Sequence, residues 1–305
     1  MSKIIVAVDE SQGSSDAIAL ASTLAGITGS TLALVNVFPY ALDPSRASNR
    51  EFEAYMRKDS RELLERLRDA HGDEAVELKP IANTSPSHGL HTLAEQEDAD
   101  LIVVGSTHTG RAGRVLPGST AERLLHGAPC PVAVAPNGYA QLSHTQPAVI
   151  GCGYDGSPSS RRALQEAGRL AAATGAQLRA IRVFEPLIYD LPPGNAAFGG
   201  MASYNHMLHV RASEELEAAV ARIETEGAES QLEVGNPAHV LADASEGLDL
   251  LLIGSRGYGP MHSVMVGGVS GRLVREAACP VIVFPRSDGY PEDRSLFAKT
   301  AALHG

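Results

Sequence analysis

Tryptophan is absent from the 305 residues, cysteine occurs three times, and no apolar stretch approaches the ~18 residues of a membrane-spanning helix. Each shortage excludes something. Cys130, Cys152 and Cys279 form no C-x-x-C pair and cannot lay out a disulfide framework, so they read as small buried thiols of a reducing compartment, and a cytoplasmic location is expected. A secretory leader is not expected, because residues 1–10 alternate like a strand and place Asp9 and Glu10 where an apolar core segment would be. Basic residues are outnumbered, 25 Lys and Arg against 36 Asp and Glu, for a net charge of -11. Nucleic acid is therefore a poor partner, since duplex affinity comes mostly from cations neutralising phosphates, and any anion must be held locally. No G-x-x-x-x-G-K-[ST] occurs, which excludes a hydrolase built on a P-loop lysine.

What the chain does contain is itself, twice. A length of 305 residues suits two cores of ordinary size, and the sequence repeats with that period. KIIVAVDESQGSSDAIALASTLA (3–25) aligns with AVIGCGYDGSPSSRRALQEAGRLA (148–171), so that Asp9 falls on Asp155; TLALVNVFP (31–39) aligns with QLRAIRVFEP (177–186), so that Val37 falls on Val183. Further on, residues 99–136 match 248–285 at an offset of 149 rather than 146, a drift that signals altered loop lengths within one fold. The repeat divides the chain into a first domain at 1–137, a polar, turn-rich linker at 138–146, a second domain at 147–286 and a tail at 287–305 with no counterpart in the first copy.

The repeat also disposes of a tempting motif. Gly151, Gly153 and Gly156 spell G-x-G-x-x-G after an apolar strand, the dinucleotide-binding fingerprint. The acid that should follow about 20 residues on is missing, and the equivalent residues of the first copy are Ile5, Ala7 and Glu10. The match is coincidental.

Within each copy, short β-branched runs alternate with longer stretches of helical period, the pattern of an α/β fold with a parallel sheet and helices on both faces. Strands are expected near 3–8, 31–37, 77–82, 101–105 and 131–135, with helices near 14–27, 48–71, 88–97 and 118–127. In the second copy strands are expected near 148–153, 177–183, 229–234, 249–253 and 280–284, with helices near 158–173, 208–226, 237–246 and 268–277. Phe52, Met56, Leu63 and Leu67 space out as one core face, as do Leu216, Val220 and Ile223.

The chemistry falls at the end of each fourth strand. DLLLI (249–253) runs into GSRGYGPMHSVMVGG (254–268), placing Gly254 and Gly257 after a buried strand and Gly267 and Gly268 before a helix. Open α/β sheets bind ligands at that edge. Glycines there let main-chain N–H groups approach an anion, and a helix N-terminus adds unpaired donors. Tight turns alone would also account for such glycines, but the pattern recurs in the first copy as Gly105, Gly118 and Ser119, with His108 at the middle position. Arg111, Arg114 and Arg256 lie in the same loops and read equally as phosphate ligands or solvated side chains. His88 with His91, and His206 with His209, have a spacing that can share a metal, but no third ligand is near. Asp98, Asp100 and Asp249 read as turn residues before fourth strands. Cys130 and Cys279 occupy equivalent places before the last strands.

Gly254, Gly257 and Gly267 in G-x2-G-x9-G spacing, V-A-V-D (6–9), Y-D-G-S (154–157) and the C-P-V-x-V ends (130–134 and 279–283) together resemble the universal stress protein family, over nearly all of residues 3–286. The resemblance implies a tandem member whose halves are Rossmann-like five-stranded sheets in the order 3-2-1-4-5, pairing by their last strands within the chain or as a homodimer. It also implies ATP, or AMP or ADP, bound across the first and fourth strands, with Mg2+ as an optional companion. On that pattern Asp9 and Asp155 meet the ribose or adenine side, and Val37 and Val183 line the adenine pocket through their backbones. Gly105, His108, Gly118, Gly254, Gly257 and Gly267 cradle phosphates, and Ser119 supplies a hydroxyl that Gly268 lacks. The expected function is a nucleotide-binding stress regulator. A slow ATPase or self-phosphorylating enzyme and a nucleotide-free dimerisation scaffold are the alternatives. The Gly- and Pro-rich stretch at 186–206 is a candidate cover for the second pocket.

Overall fold

The computed structural model describes residues 2–40, 49–106, 115, 117–142, 146–186, 197–223, 225, 227–255, 269–285 and 295–297. The first half runs β1 (Lys3–Ala7), α1 (Gly13–Thr28), β2 (Thr31–Phe38), α2 (Asn49–His71), β3 (Glu77–Ala82), α3 (Pro86–Gln96), β4 (Leu101–Gly105), α4 (Ser119–Gly127) and β5 (Val132–Ala135). The second repeats it as β6 (Val149–Gly153), α5 (Pro158–Thr174), β7 (Gln177–Phe184), α6 (Ala197–Val220), β8 (Glu229–Val234), α7 (Pro237–Ala244), β9 (Leu250–Gly254), α8 (Val269–Glu276) and β10 (Val281–Phe284).

Each half has the strand order expected from the resemblance, but the two sheets are continuous. Ten strands lie in the order β3-β2-β1-β4-β5-β10-β9-β6-β7-β8, parallel throughout except at the central β5–β10 pair. The six central strands are nearly continuous apolar runs because helices cover both faces; Ile4, Ile5 and Val6 of β1 are all fully buried. One core lies beneath α1, α2, α5 and α6 and another beneath α3, α4, α7 and α8, and each draws residues from both halves. Where β5 meets β10, Ala133 stands opposite Ile282, its own repeat equivalent, so the local two-fold axis passes through that pair.

Element ends match the sequence reading to within a few residues, with three corrections. Helix α6 spans Ala197–Val220 rather than 208–226: Phe198, Met201, Tyr204 and Leu208 have helical spacing, but Gly199 and Gly200 among them make the segment read as a loop. Phe52 is 53% exposed: the core contact of α2 is made by Ser60, Leu63, Leu64 and Leu67, near the middle of the helix. The third concerns the tail, which does have a structural counterpart. Buried Asp16 on α1 accepts the amides of Gly138 (2.9 Å) and Ala140 (2.7 Å) of the linker. On α5, buried Glu166 accepts the amide of Phe297 (2.9 Å) and the hydroxyl of Ser295 (3.0 Å). In each half the chain leaving the last strand is tied by a buried carboxylate to the helix after the first.

Candidate functional site

At the carboxyl edge of β1 and β4, a cleft of about 340 Å³ opens among Ala7, Val8, Asp9, Ser11, Gly13, Val35, Asn36, Val37, Leu90, Gly105, Ser106, Gly118, Ser119 and Thr120. It lies where the strand order reverses, because β2 follows β1 on one side and β4 flanks it on the other. The Val8 amide continues the ladder to Val35 O (2.9 Å), after which the chain turns away. Asp9 builds that turn: its Oδ1 accepts the amide of Ser11 (2.9 Å) and lies 3.1 Å from Ser14 Oγ, which itself donates to Asp9 O (2.8 Å). Asn36 spans the wall, donating from Nδ2 to Val8 O (2.8 Å) while its Oδ1 accepts Ser60 Oγ (2.8 Å). Val37 lies against α3 at Gly89, where any larger residue would meet its methyl groups. The far wall is the start of α4. Gly118 in its capping position has no side chain to cap the first turn, which leaves those donors to a ligand or solvent.

Gly105 and Gly254 have a structural duty that the sequence reading did not assign. A Cβ on Gly105 would collide with the carbonyl of Gly13 at the start of α1, and one on Gly254 would lie 2.5 Å from the amide of Ser160 at the start of α5. These glycines admit the first helix of each half against the end of the fourth strand, which draws the helix N-terminus to the rim of the cleft. Ser106, next in sequence, donates its hydroxyl to Ala135 O (2.6 Å) and bridges to Pro117, closing the base of the intervening loop.

The second cleft repeats the plan with about 50 Å³ of space among Gly153, Tyr154, Asp155, Ser160, Ile181, Val183, Leu241, Gly254, Val269 and Ser270. Asp155 again forms the turn, accepting the Ser157 amide (2.9 Å), and Tyr154 replaces Val8. The fingerprint glycines are accounted for otherwise. Gly151 and Gly153 lie within β6 and make room for Leu248 and Leu241. Gly156 adopts φ 79°, which Glu10 in the first copy does not, so the two turns differ there.

The structure thus brings together Asp9, Val37, Gly105, Gly118 and Ser119 in one cleft, and Asp155, Val183 and Gly254 in the other. His108, Gly257, Gly267, Gly268, Arg111, Arg114 and Arg256 lie outside the described residues, as do 187–196 of the candidate cover. Asn36, Ser106 and Thr120 are lining residues that sequence reasoning missed. Ser106 was findable, since Gly-Ser recurs at 254–255; Asn36 was not, because its repeat equivalent is Arg182. Asp100 and Asp249 are strand ties: Asp100 accepts the Lys3 amide (2.9 Å) and Asp249 those of Ala148 and Val149 (2.8 and 2.9 Å). Among the described residues no group of three His, Cys, Asp or Glu could hold a metal; His91 instead faces Glu95 (3.3 Å) and His209 packs edge-on against Phe184. All three cysteines are buried free thiols, and burial pushes Cys152 and Cys279 far above the ordinary thiol range. Among the described residues, a contact joins the first half to the second here: fully buried Val115 donates its amide to Ala277 O (3.0 Å), and Arg275 forms an ion pair with Glu122 (2.6 Å).

Comparison with known proteins gives a consistent result. The sequence model of the universal stress protein family matches residues 1–136 and again 148–285. A universal stress protein of Mycobacterium tuberculosis is 32% identical over 242 residues, covering 78% of this chain and 78% of the relative, and one of Mycolicibacterium smegmatis is 26% identical over 92% of this chain and 96% of its own length. Among solved structures, a universal stress protein from Archaeoglobus fulgidus has the same fold (TM-score 0.58, 19% identity, 94% of this chain and 97% of that one).

Proposed function

The chain belongs to the universal stress protein family as a tandem member, and from that premise we propose that it is a nucleotide-binding regulator of the stress response, holding ATP, ADP or AMP in the cleft of each half. The two domains are 1–137 and 147–286, joined by 138–146 and followed by 287–305. In this reading Asp9 and Asp155 meet the ribose or adenine side. Val37 and Val183 present backbone groups to the base. Gly105, His108, Gly118 and Ser119 in the first half, and Gly254, Gly257, Gly267 and Gly268 in the second, surround the phosphates. Mg2+ accompanies the phosphates as their counter-ion, and the setting is the cytoplasm, in keeping with three free thiols.

The observation that carries the reading is the first cleft itself. Its volume of about 340 Å³ falls in the range of small-molecule sites. One wall is apolar, with Val37 and Leu90, as a base requires. The other is the uncapped start of α4 with the hydroxyls of Ser119 and Thr120, as phosphate requires. Local main-chain donors also meet the demand set by a net charge of -11, which offers no favourable long-range field. The second cleft has Val269 where the first has Thr120, so the second site is the weaker.

Mass spectrometry of nucleotide released from the purified, denatured protein, followed by calorimetric titration with ATP, tests the proposal. We expect adenine nucleotide at up to two per chain, with unequal affinities. Ser119→Ala should weaken the tighter site about tenfold or more, the worth of a hydrogen bond to a charged group. No binding at millimolar ATP would leave a scaffold, and ADP accumulating with time would make the protein an ATPase.

A further inference from the structure

The seam between β5 and β10 differs on its two faces. On the face of α4 and α8 it is lined by Val132 and Val134 from one half and Val281 and Val283 from the other, the same residue at equivalent positions, so this face fits either half equally. On the face of α1 and α5 the first half supplies only Ala133 and Ala135, whereas the second supplies Ile282 and Phe284 at the equivalent places, all fully buried. Ala133 and Ile282 stand directly opposite each other on the pseudo-dyad, where facing Cβ atoms lie about 5 Å apart and the diagonal neighbours, here Ala133 and Phe284, remain within reach of an aromatic ring.

We infer that this small-against-large face makes the seam selective for pairing a first half with a second half, within one chain, over pairing between like halves of two chains. Two first halves would set alanine against alanine on the axis and leave a void in a close-packed interior. Two second halves would set Ile282 against Ile282, with the Phe284 rings on both diagonals, and overfill it. Either error is resisted by the packing density of protein cores. A symmetric homodimer must pair identical residues at its axis. The tandem chain escapes that restriction, and its seam residues use the freedom.

The test is made on the full chain and needs no nucleotide. Ile282→Ala should lower the thermal midpoint by roughly 3–8 °C through a cavity, and Ala133→Ile by roughly 2–5 °C through overfilling. The double variant, which exchanges small for large across the axis, should recover most of the loss. If the two losses simply add, the inference fails. A second measurement holds even where a packing variant folds poorly. On oxidation with copper phenanthroline, Ala133→Cys alone should yield no disulfide-linked dimer on non-reducing electrophoresis, and Ala133→Cys with Ile282→Cys should crosslink within the monomer. A dimer band from either variant would show like halves or separate chains meeting at this strand, and would overturn the inference.

Discussion

Gly105 and Gly26 are both glycines of the first half, and their environments predict opposite responses to the same substitution. Gly105→Ala drives a Cβ into the Gly13 carbonyl, a backbone atom that cannot swing aside. We expect a loss of about 3 kcal/mol or more, or failure to fold, by the route of overpacking with forced backbone movement. Gly26 lies inside α1 with nothing within 4 Å of an added Cβ. Gly26→Ala should raise stability by about 0.5–1 kcal/mol, read as a higher urea midpoint. The thiols give a second prediction at this scale. Burial holds Cys152 and Cys279 in the protonated form, and Cys130 is as deeply covered. Ellman's reagent should therefore find no reactive thiol in the native protein at pH 8 and three in guanidinium. That Cys130 and Cys279 are small core residues was legible in the sequence from their equivalent places before the last strands. The duty of Gly105 was not, because it depends on a helix that starts more than ninety residues earlier, as the numbering from Gly13 shows.

Among the elements, the charged edge formed by β1, β3 and the end of α3 contributes to the response to acid, as does Glu215 on α6, lowered by its bonds from Arg182 and Arg211. Lys3 bonds Glu77 and Glu97 (both 3.0 Å), and Lys79 pairs with both acids as well. The hydrogen bond from Lys3 lowers the Glu77 pKa. Burial works against the charge on Glu97, but the bonds from Lys79 and Lys3 outweigh it and lower its pKa too. Lys3 is raised, its burial outweighed by the same two partners. For a lowered carboxyl, the stabilisation is present above its unfolded pKa near 4.5 and disappears as pH falls through the lower folded value; for the raised lysine it is present below about 10.5 and is lost as pH rises through the folded value. Stability should be flat between these limits and fall below pH ~4. Glu97→Gln should flatten that acid limb, at a cost near neutrality of about 1 kcal/mol or less, because the pairs are partly exposed. Urea midpoints at pH 7 and pH 3.5 for both proteins would measure it. The elements themselves were legible because β-branched runs and helical spacing are local signals. The ties of Asp16 to the linker and Glu166 to the tail were hidden, since a buried acid on an otherwise apolar helix face announces a partner without saying which. The early start of α6 was hidden by composition: Gly199 and Gly200, following the Pro- and Gly-rich stretch before them, mask the helical spacing of Phe198, Met201 and Tyr204.

At the scale of the molecule, joining the sheets leaves β3 and β8 as the only edges among the described strands. Both carry charge, Glu77 and Lys79 on one and Glu229 and Glu233 on the other, a common guard against further strand addition. The C-P-V-x-V repeats made pairing of the last strands foreseeable; the merging of two cores was not, because it depends on which faces the strands share. Since each core draws residues from both halves, and the Val115–Ala277 and Glu122–Arg275 contacts cross the same seam, unfolding the first half would expose buried Val281, Ile282, Val283 and Phe284 of the second, and unfolding the second would expose Val132, Ala133, Val134 and Ala135 of the first. Burying such side chains stabilises by about 1.5–3 kcal/mol each for the larger ones, comparable in sum with the whole stability of a domain. An intermediate with one half folded is thus disfavoured. Calorimetry should show a single transition for the 305-residue chain, with an enthalpy of about 200 kcal/mol near 60 °C and an equal van't Hoff enthalpy. Independent halves would instead give a van't Hoff value near half the calorimetric one, and that result would mean the seam pairs strands without joining the cores.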